Sequence, residues 1–311
     1  MWCRSSCGLA CLRAQLDQRE AAHELPRLRC DAGSVCRSHP AGWEIPLRLR
    51  VRFCKTGKIR FIGHRDVARV TERAVRKVGL PVVYSEGFSP RMRLSFGLAL
   101  PTGYESDGEY LDLPLMPDAV GGAAADGPEI ACGHALHRRC AVETTAGGAS
   151  YCSVAEALSD ALPHGMYVSA VLLQERGGPS LQSAVHTCGW QFEIQHLSVA
   201  DAADAAKQLL EADHVPATRV HKGRTLTEDV RGAIFALSVV DETSRGAVLA
   251  AELSATPRLV RPSELVPALA AGHEMGIARR THQWTCTAGV RAEPATPAQC
   301  SLNRRQELVS E

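Results

Sequence analysis

Apolar residues alternate with arginines along Leu47–Cys54. Leu47, Leu49, Val51 and Phe53 fall on one side, Arg48, Arg50 and Arg52 on the other. A period of two predicts a strand with one face for a core and one for solvent, and here the second face is cationic. After a turn at Lys55-Thr56-Gly57-Lys58, the strand is expected to resume briefly over Ile59–Ile62. The period then changes. Val67, Val70, Ala74 and Val78 recur at helical spacing, which predicts a helix over His64–Val78 with that stripe inward. Arg65, Arg69, Arg73 and Lys77 make a second stripe at four-residue steps. Gly79 suits the left-handed conformation that ends a helix, and Pro81 opens another extended stretch, PVVYS.

A turn follows at Glu86-Gly87-Phe88-Ser89-Pro90-Arg91, where Gly87 permits a tight path and Pro90 sets the exit. LSFGLALPTGY and the alternating Glu109–Leu115 read as adjoining strands. Residues 116–150 are rich in Gly and Ala without a period and read as an inserted loop. Ser153–Leu162 reads as a short helix with Ser153 as N-cap, and Met166–Leu173 as a strand. The order then repeats: a strand at His186–His196, a helix at Ala200–Ala212, and an extended stretch at Ala217–Thr227 turning at His221–Arg224. Strands at Ala233–Val240 and Ala247–Ser254, a helix at Pro262–Ala270 and a strand at Ile277–Thr285 complete it. The predicted fold is α+β, a tandem of two ferredoxin-like βαββαβ units with antiparallel sheets. The expected boundaries are a disordered tail over 1–45, a first unit over 46–176 with the loop 116–150, a second unit over 177–286, and a flexible tail over 287–311.

Composition adds one thing to this picture. The formal net charge of the 311 residues is only +1, but the charges are segregated. Residues 47–93 hold 13 Lys and Arg against 3 acids, and residues 94–175 hold 2 against 11. Such a split either makes a field that selects a polyanionic partner, or is neutralised within one interface. The 12 cysteines are many, yet the N-terminus has no apolar core of the secretory kind and no apolar run is long enough for a membrane span. We therefore expect a cytoplasmic protein with reduced thiols and no membrane partner.

The candidate chemistry is sparse. Tyr84 and Phe88 lie beside Arg91 and Arg93, and aromatics interleaved with cations hold single-stranded or looped RNA by stacking and phosphate contacts. Phe88 on its own is expected to plug the core. The candidate nucleic-acid-binding residues are Arg65, Arg69, Arg73, Lys77, Tyr84, Phe88, Arg91, Arg93, Lys222 and Arg261, with the Arg48, Arg50 and Arg52 face and Trp284 in support. An enzyme acting on RNA would use His64 as general acid or base, oriented by Asp66 or Glu86. No nucleophile elbow, P-loop or dinucleotide fingerprint accompanies them. Cys132, His134, His137 and Cys140 are metal-capable residues at close range, but their spacing matches no zinc pattern. Cys3, Cys7 and Cys11 miss the C-x3-C-x2-C spacing of a radical SAM cluster by one residue. No cofactor is expected.

The run GHRDVARVTERAVRKVGLPVVYSEGFSPRMRLSFGLALPTGYESDGEYLDL resembles the radical-SAM-linked protein family, an uncharacterised domain fused to or encoded beside cobalamin-type radical SAM proteins. The resemblance resumes at GPSLQSAV, at Lys222-Gly223, at Arg258 and Arg261-Pro262-Ser263-Glu264-Leu265, and at Arg279 with Thr281-His282-Gln283-Trp284. The chain departs from the family pattern at Arg65, Glu86 and Ser89. In architecture the tandem is also similar to the RNA-processing proteins of CRISPR systems. The resemblance implies an accessory protein that works with a radical SAM enzyme encoded nearby. With the basic helix it points to RNA binding or substrate presentation in tRNA or rRNA modification, without catalysis of its own. The alternatives are a protein-interaction adaptor that binds no nucleic acid, and an RNA-processing or RNA-modifying enzyme using His64.

Overall fold

The computed structural model describes residues 47–116, 120–124, 127–130, 143–145, 148–150, 152–175, 180–221, 223–287 and 290–295. The tail expected over 1–45, the Cys132, His134, His137 and Cys140 group and most of the C-terminal tail lie outside the described residues. The first half begins with β1 (Leu47–Lys55), a 3-10 turn at Gly57–Phe61, α1 (His64–Val78), the two-residue β2 (Ser95–Phe96) and β3 (Glu105–Pro114). The segment expected as a plain loop carries β4 (Val120–Ala124), β5 (Gly127–Ile130), β6 (Glu143–Thr145) and β7 (Gly148–Ser150). Then come α2 (Cys152–Ala161) and β8 (Met166–Glu175). The second half holds the one-turn α3 (Leu181–Ala184), β9 (Val185–Gln195), α4 (Val199–Glu211), β10 (Pro216–His221), β11 (Arg224–Asp229), β12 (Ile234–Thr243), β13 (Gly246–Ser254), α5 (Pro262–Leu269), β14 (Met275–Thr287) and β15 (Val290–Ala292).

These elements form a mixed α+β fold around one large, mostly antiparallel sheet. Its order is β12-β13-β9-β14-β3-β1-β8-β7-β6, with β2 on β3 and β15 on β14. The parallel exception is the seam between halves, where β14 meets β3 at Arg279↔Glu105 and Arg280↔Ser106. Two apolar cores share the helical face. In the first half Leu49, Val51 and Phe53 of β1 pack with Val67, Ala74, Val75 and Val78 of α1 and Val154 and Leu158 of α2. In the second, Trp190, Phe192 and Ile194 of β9 pack with Ala202, Ala206 and Leu209 of α4 and Leu265 and Leu269 of α5. Among the described residues no helix is long and apolar enough to cross a membrane.

α1 keeps the limits its pattern predicts, and Gly79 closes it at φ 74°, its N–H bonded to the carbonyls of Val75 and Arg76. Other expectations need correcting. Ile59–Ile62 is not a strand: Gly57 at φ 66° turns the chain into the 3-10 turn. PVVYS makes only isolated pairs, Val82 with Leu115 and Tyr84 with Met92. Ser153 lies inside α2, whose first residue is Cys152. The chain beyond Thr285 is not loose at first, for β15 pairs with β14 and Ala295 is buried.

The largest correction concerns the arginine face of β1. Arg50 and Arg52 are 7% and 8% exposed. β1 is flanked by β3 and β8, and Tyr110, Leu181 and Ala295 cluster on that face with Leu172. Buried charge needs a partner. Arg50 takes Asp112 in a two-pronged contact at 2.8 and 2.9 Å, with Arg48 joining at 3.3 Å. Arg52 reaches the Tyr110 hydroxyl at 3.2 Å, Ser169 at 3.0 Å and Glu293 at 3.4 Å. These three arginines are therefore spent inside the fold.

Candidate nucleic-acid interface

The cations of α1 are placed differently. Its inward face is Val67, Thr71, Ala74, Val75 and Val78, so the stripe four residues apart is left in solvent. Two intrahelical pairs form, Arg69 with Asp66 at 3.1 Å and Arg76 with Glu72 at 2.9 Å. Both are exposed, and such pairs contribute only about 0.3–0.5 kcal/mol and yield to a better anion. Arg65, Arg73 and Lys77 are exposed and make no ion pair among the described residues. The charge segregation is thus resolved in two ways at once. Arg48 and Arg50 of β1 pair with Asp112 of the acidic segment, and the α1 cations face outward.

Next to the C-terminal end of α1 the chain makes a hairpin over residues 83–93. Ser85 donates its N–H to the Arg91 carbonyl at 2.8 Å, and Arg93 to that of Val83 at 3.1 Å. The Ser85 hydroxyl accepts from the Arg91 N–H at 3.0 Å. Gly87, at φ 121°, lies in the bend. Met92 is the residue that buries, and Phe88 stands at 111% exposure, more open than in an extended peptide. The expectation that Phe88 plugs the core is therefore overturned: Met92 fills that role and leaves the aromatic ring free. Tyr84 is at the margin, 37% exposed; Arg91 and Arg93 follow the tip in solvent and Glu86 precedes it. An apolar ring held in water by a bonded hairpin, with two cations on the arm that follows it and Glu86 on the arm before it, is suited to stacking a base with a phosphate gripped on the Arg91 and Arg93 side.

The remaining candidates are not gathered here. Arg261 precedes α5 in the second half, its N–H donated to Glu264 at 3.2 Å. Lys222 lies outside the described residues. Trp284 is already engaged, parallel to His282 at 5.0 Å and under the Arg291 guanidinium at 4.1 Å. His64, the first residue of α1, meets Phe96 edge-on at 4.8 Å. No hydrogen bond among the described residues joins His64 to Asp66 or Glu86, and Asp66 is turned to Arg69. The same end of α1 bears a residue that the sequence reading passed over. Phe61 is 60% exposed, with the Arg60 guanidinium 4.6 Å from its ring centroid. The pattern IRFI predicts a strand, in which Phe61 alternates inward, and the 3-10 turn at Gly57–Phe61 instead leaves it in solvent.

Behind this surface the seam between halves is built of buried charge. Glu105, 3% exposed, accepts from Arg279 at 2.7 Å, Arg60 at 3.3 Å and the Gly57 N–H at 2.9 Å. Arg280, wholly buried, meets Glu109 at 2.7 Å and the Leu98 carbonyl at 2.8 Å. Lys55 Nζ donates to the carbonyls of Arg60 and Ile62 at 3.2 and 3.0 Å. Burial pushes the Lys55 ammonium below its usual range, against the pull of Glu109. Cys54 and Cys188 are buried thiols, each pushed up to about 11 by desolvation, and so are inert as nucleophiles at neutral pH.

Comparison with known proteins places the surface in a family. The profile described as "Uncharacterized protein conserved in bacteria (DUF2344)" matches residues 48–123 and 142–262. The chain belongs to that family. α1, the hairpin and Arg261 fall within the matched residues of this DUF2344 chain, and β14 falls beyond them. No curated protein matches. Among solved structures, a chain of "Crystal Structure of a Cbf5-Nop10-Gar1 Complex" is similar over 77% of this chain at 10% identity and a TM-score of 0.37. This chain spans 49% of that one's length.

Proposed function

We propose that this protein is a non-catalytic RNA-binding accessory that works with a radical SAM enzyme, gripping RNA along α1 and the 83–93 hairpin. The observation that carries the reading is Phe88, at 111% exposure on a hairpin tip with Arg91 and Arg93 on the arm that follows it. Arg65, Arg73 and Lys77 extend the cationic surface along the helix. The partner enzyme is inferred from the resemblance of residues 63–113 to the radical-SAM-linked family. We also read each half of the sheet as a ferredoxin-like unit. The order β8-β1-β3-β2 in one half and β14-β9-β13-β12 in the other supports this, since both follow the fourth-first-third-second pattern of a βαββαβ unit.

The test is a salt-titrated mobility-shift assay on the full chain. Binding should fall steeply with salt. Replacing Arg65, Arg69, Arg73 and Lys77 together by alanine should lower the log–log slope by about 3, at roughly 0.7 per phosphate contact on single strands. Absence of binding at low salt would remove the proposal.

A further inference from the structure

Phe61 is a large apolar side chain at 60% exposure, on backbone held on both sides by hydrogen bonds. The Arg60 carbonyl accepts from the Gly103 N–H at 2.8 Å and from Lys55 Nζ at 3.2 Å. The Ile62 carbonyl takes a second Lys55 bond at 3.0 Å. Lys55 is 3% exposed, so its ammonium has left water to bridge these two carbonyls. The ring is backed as well. The Arg60 guanidinium lies 4.6 Å from the ring centroid and is pinned to Glu105 at 3.3 Å. Glu105 is in turn held by Arg279 of β14. Lys55 and Glu105 are buried and fully partnered in this turn, so the backbone that carries Phe61 is fixed. Rigid placement of an aromatic face lowers the entropy lost when something stacks on it.

The turn that carries Phe61 and the base of the hairpin that carries Phe88 stand at opposite ends of α1. Phe61 lies three residues before the first residue of the helix. The hairpin rises beyond its C-terminal Gly79, where Val82 pairs with Leu115. Phe96, which touches His64 at the helix start, pairs with Leu111, four residues back along β3 and so about 13 Å away. The 15 residues of α1 span about 22 Å. Arg65, Arg69, Arg73 and Lys77 run along the exposed side of the helix, from the turn that carries Phe61 toward the base of the hairpin.

Resting on the RNA reading above, we propose that Phe61 is a second base-stacking platform. The ligand is then single-stranded RNA laid along α1, one base on Phe61, another on Phe88, its phosphates on the arginine and lysine stripe. Duplex RNA keeps its bases stacked on one another and offers neither ring a face.

The test measures anisotropy of fluorescein-labelled oligouridine on the full chain, free and annealed to oligoadenosine. Single-strand binding should exceed duplex binding, and Phe61→Ala should weaken it about tenfold without changing the duplex affinity. Phe61→Trp should restore it, and Phe61→Leu, apolar but without a π-face, should not. Single-strand binding by Phe61→Ala equal to that of the unaltered protein, or full rescue by Phe61→Leu, would overturn this inference and leave the RNA reading standing. Failure of the unaltered protein to bind either RNA would remove both.

Discussion

Glu109→Gln isolates the charge that joins the two halves. The substitution keeps shape and removes one charge from a pair with no access to water. Arg280 is fully buried, and Glu109 is 7% exposed. Three contacts join them, at 3.0, 2.7 and 2.7 Å, and the Arg280 side chain also lies 5.5 Å from the Trp190 ring centroid. With an amide in place of the carboxylate, the guanidinium keeps the Leu98 carbonyl and one amide oxygen as acceptors but has no counter-charge to offset its desolvation. Breaking one partner of a buried pair costs about 3–5 kcal/mol. For a chain of 311 residues, at about 2.1 cal/mol/K of unfolding entropy per residue, that is a fall in Tm of roughly 5–8 °C. Removing both charges, as Glu109→Leu with Arg280→Met, should be near neutral, because the desolvation penalty goes with the attraction. Thermal unfolding followed by circular dichroism, with urea melts for the unaltered protein, Glu109→Gln, Glu109→Leu, Arg280→Met and the Leu/Met double variant, checks both statements. A Glu109→Gln cost under about 1 kcal/mol would mean that water reaches the seam. A double variant as unstable as the sum of the singles would refute the reasoning, since independent losses would then replace a shared one.

Phe88→Ala should leave stability unchanged within about 0.5 kcal/mol, because a fully exposed ring contributes no burial, while RNA affinity drops; a large loss of Tm would show that the ring packs in solution. Asp229 accepts from His214 and from the backbone N–H groups of Arg231 and Val215, which hold its carboxyl down to about 2 from 3.8. Its folded pKa is depressed, so its contribution is present above pH 3.8 and lost as pH falls toward about 2. Asp229→Asn should flatten stability across that window and lower it above the window; an acid limb identical to that of the unaltered protein in urea titrations would refute it.

The sequence by itself determined what depends on neighbours along the chain. α1 is bounded as its period and Gly79 require, because helical hydrogen bonds and the left-handed cap are local. The period of two marks β1, and the helix stripe was already split into an apolar and a cationic side. What the chain could not state is which polar face stays in water. Arg50 and Arg65 look alike in sequence. One is buried against Asp112 because β3 and the C-terminal segment cover its strand, and the other is open because nothing described packs outside α1. Phe88 and Met92 were likewise interchangeable as core candidates until the hairpin register chose Met92. Phe61 was misplaced because a single positive-φ glycine, Gly57, turned an expected strand into a 3-10 turn. Local periodicity decides the elements. Tertiary structure decides exposure, because burial depends on what arrives from far along the chain, and exposure is what separates a binding surface from a core.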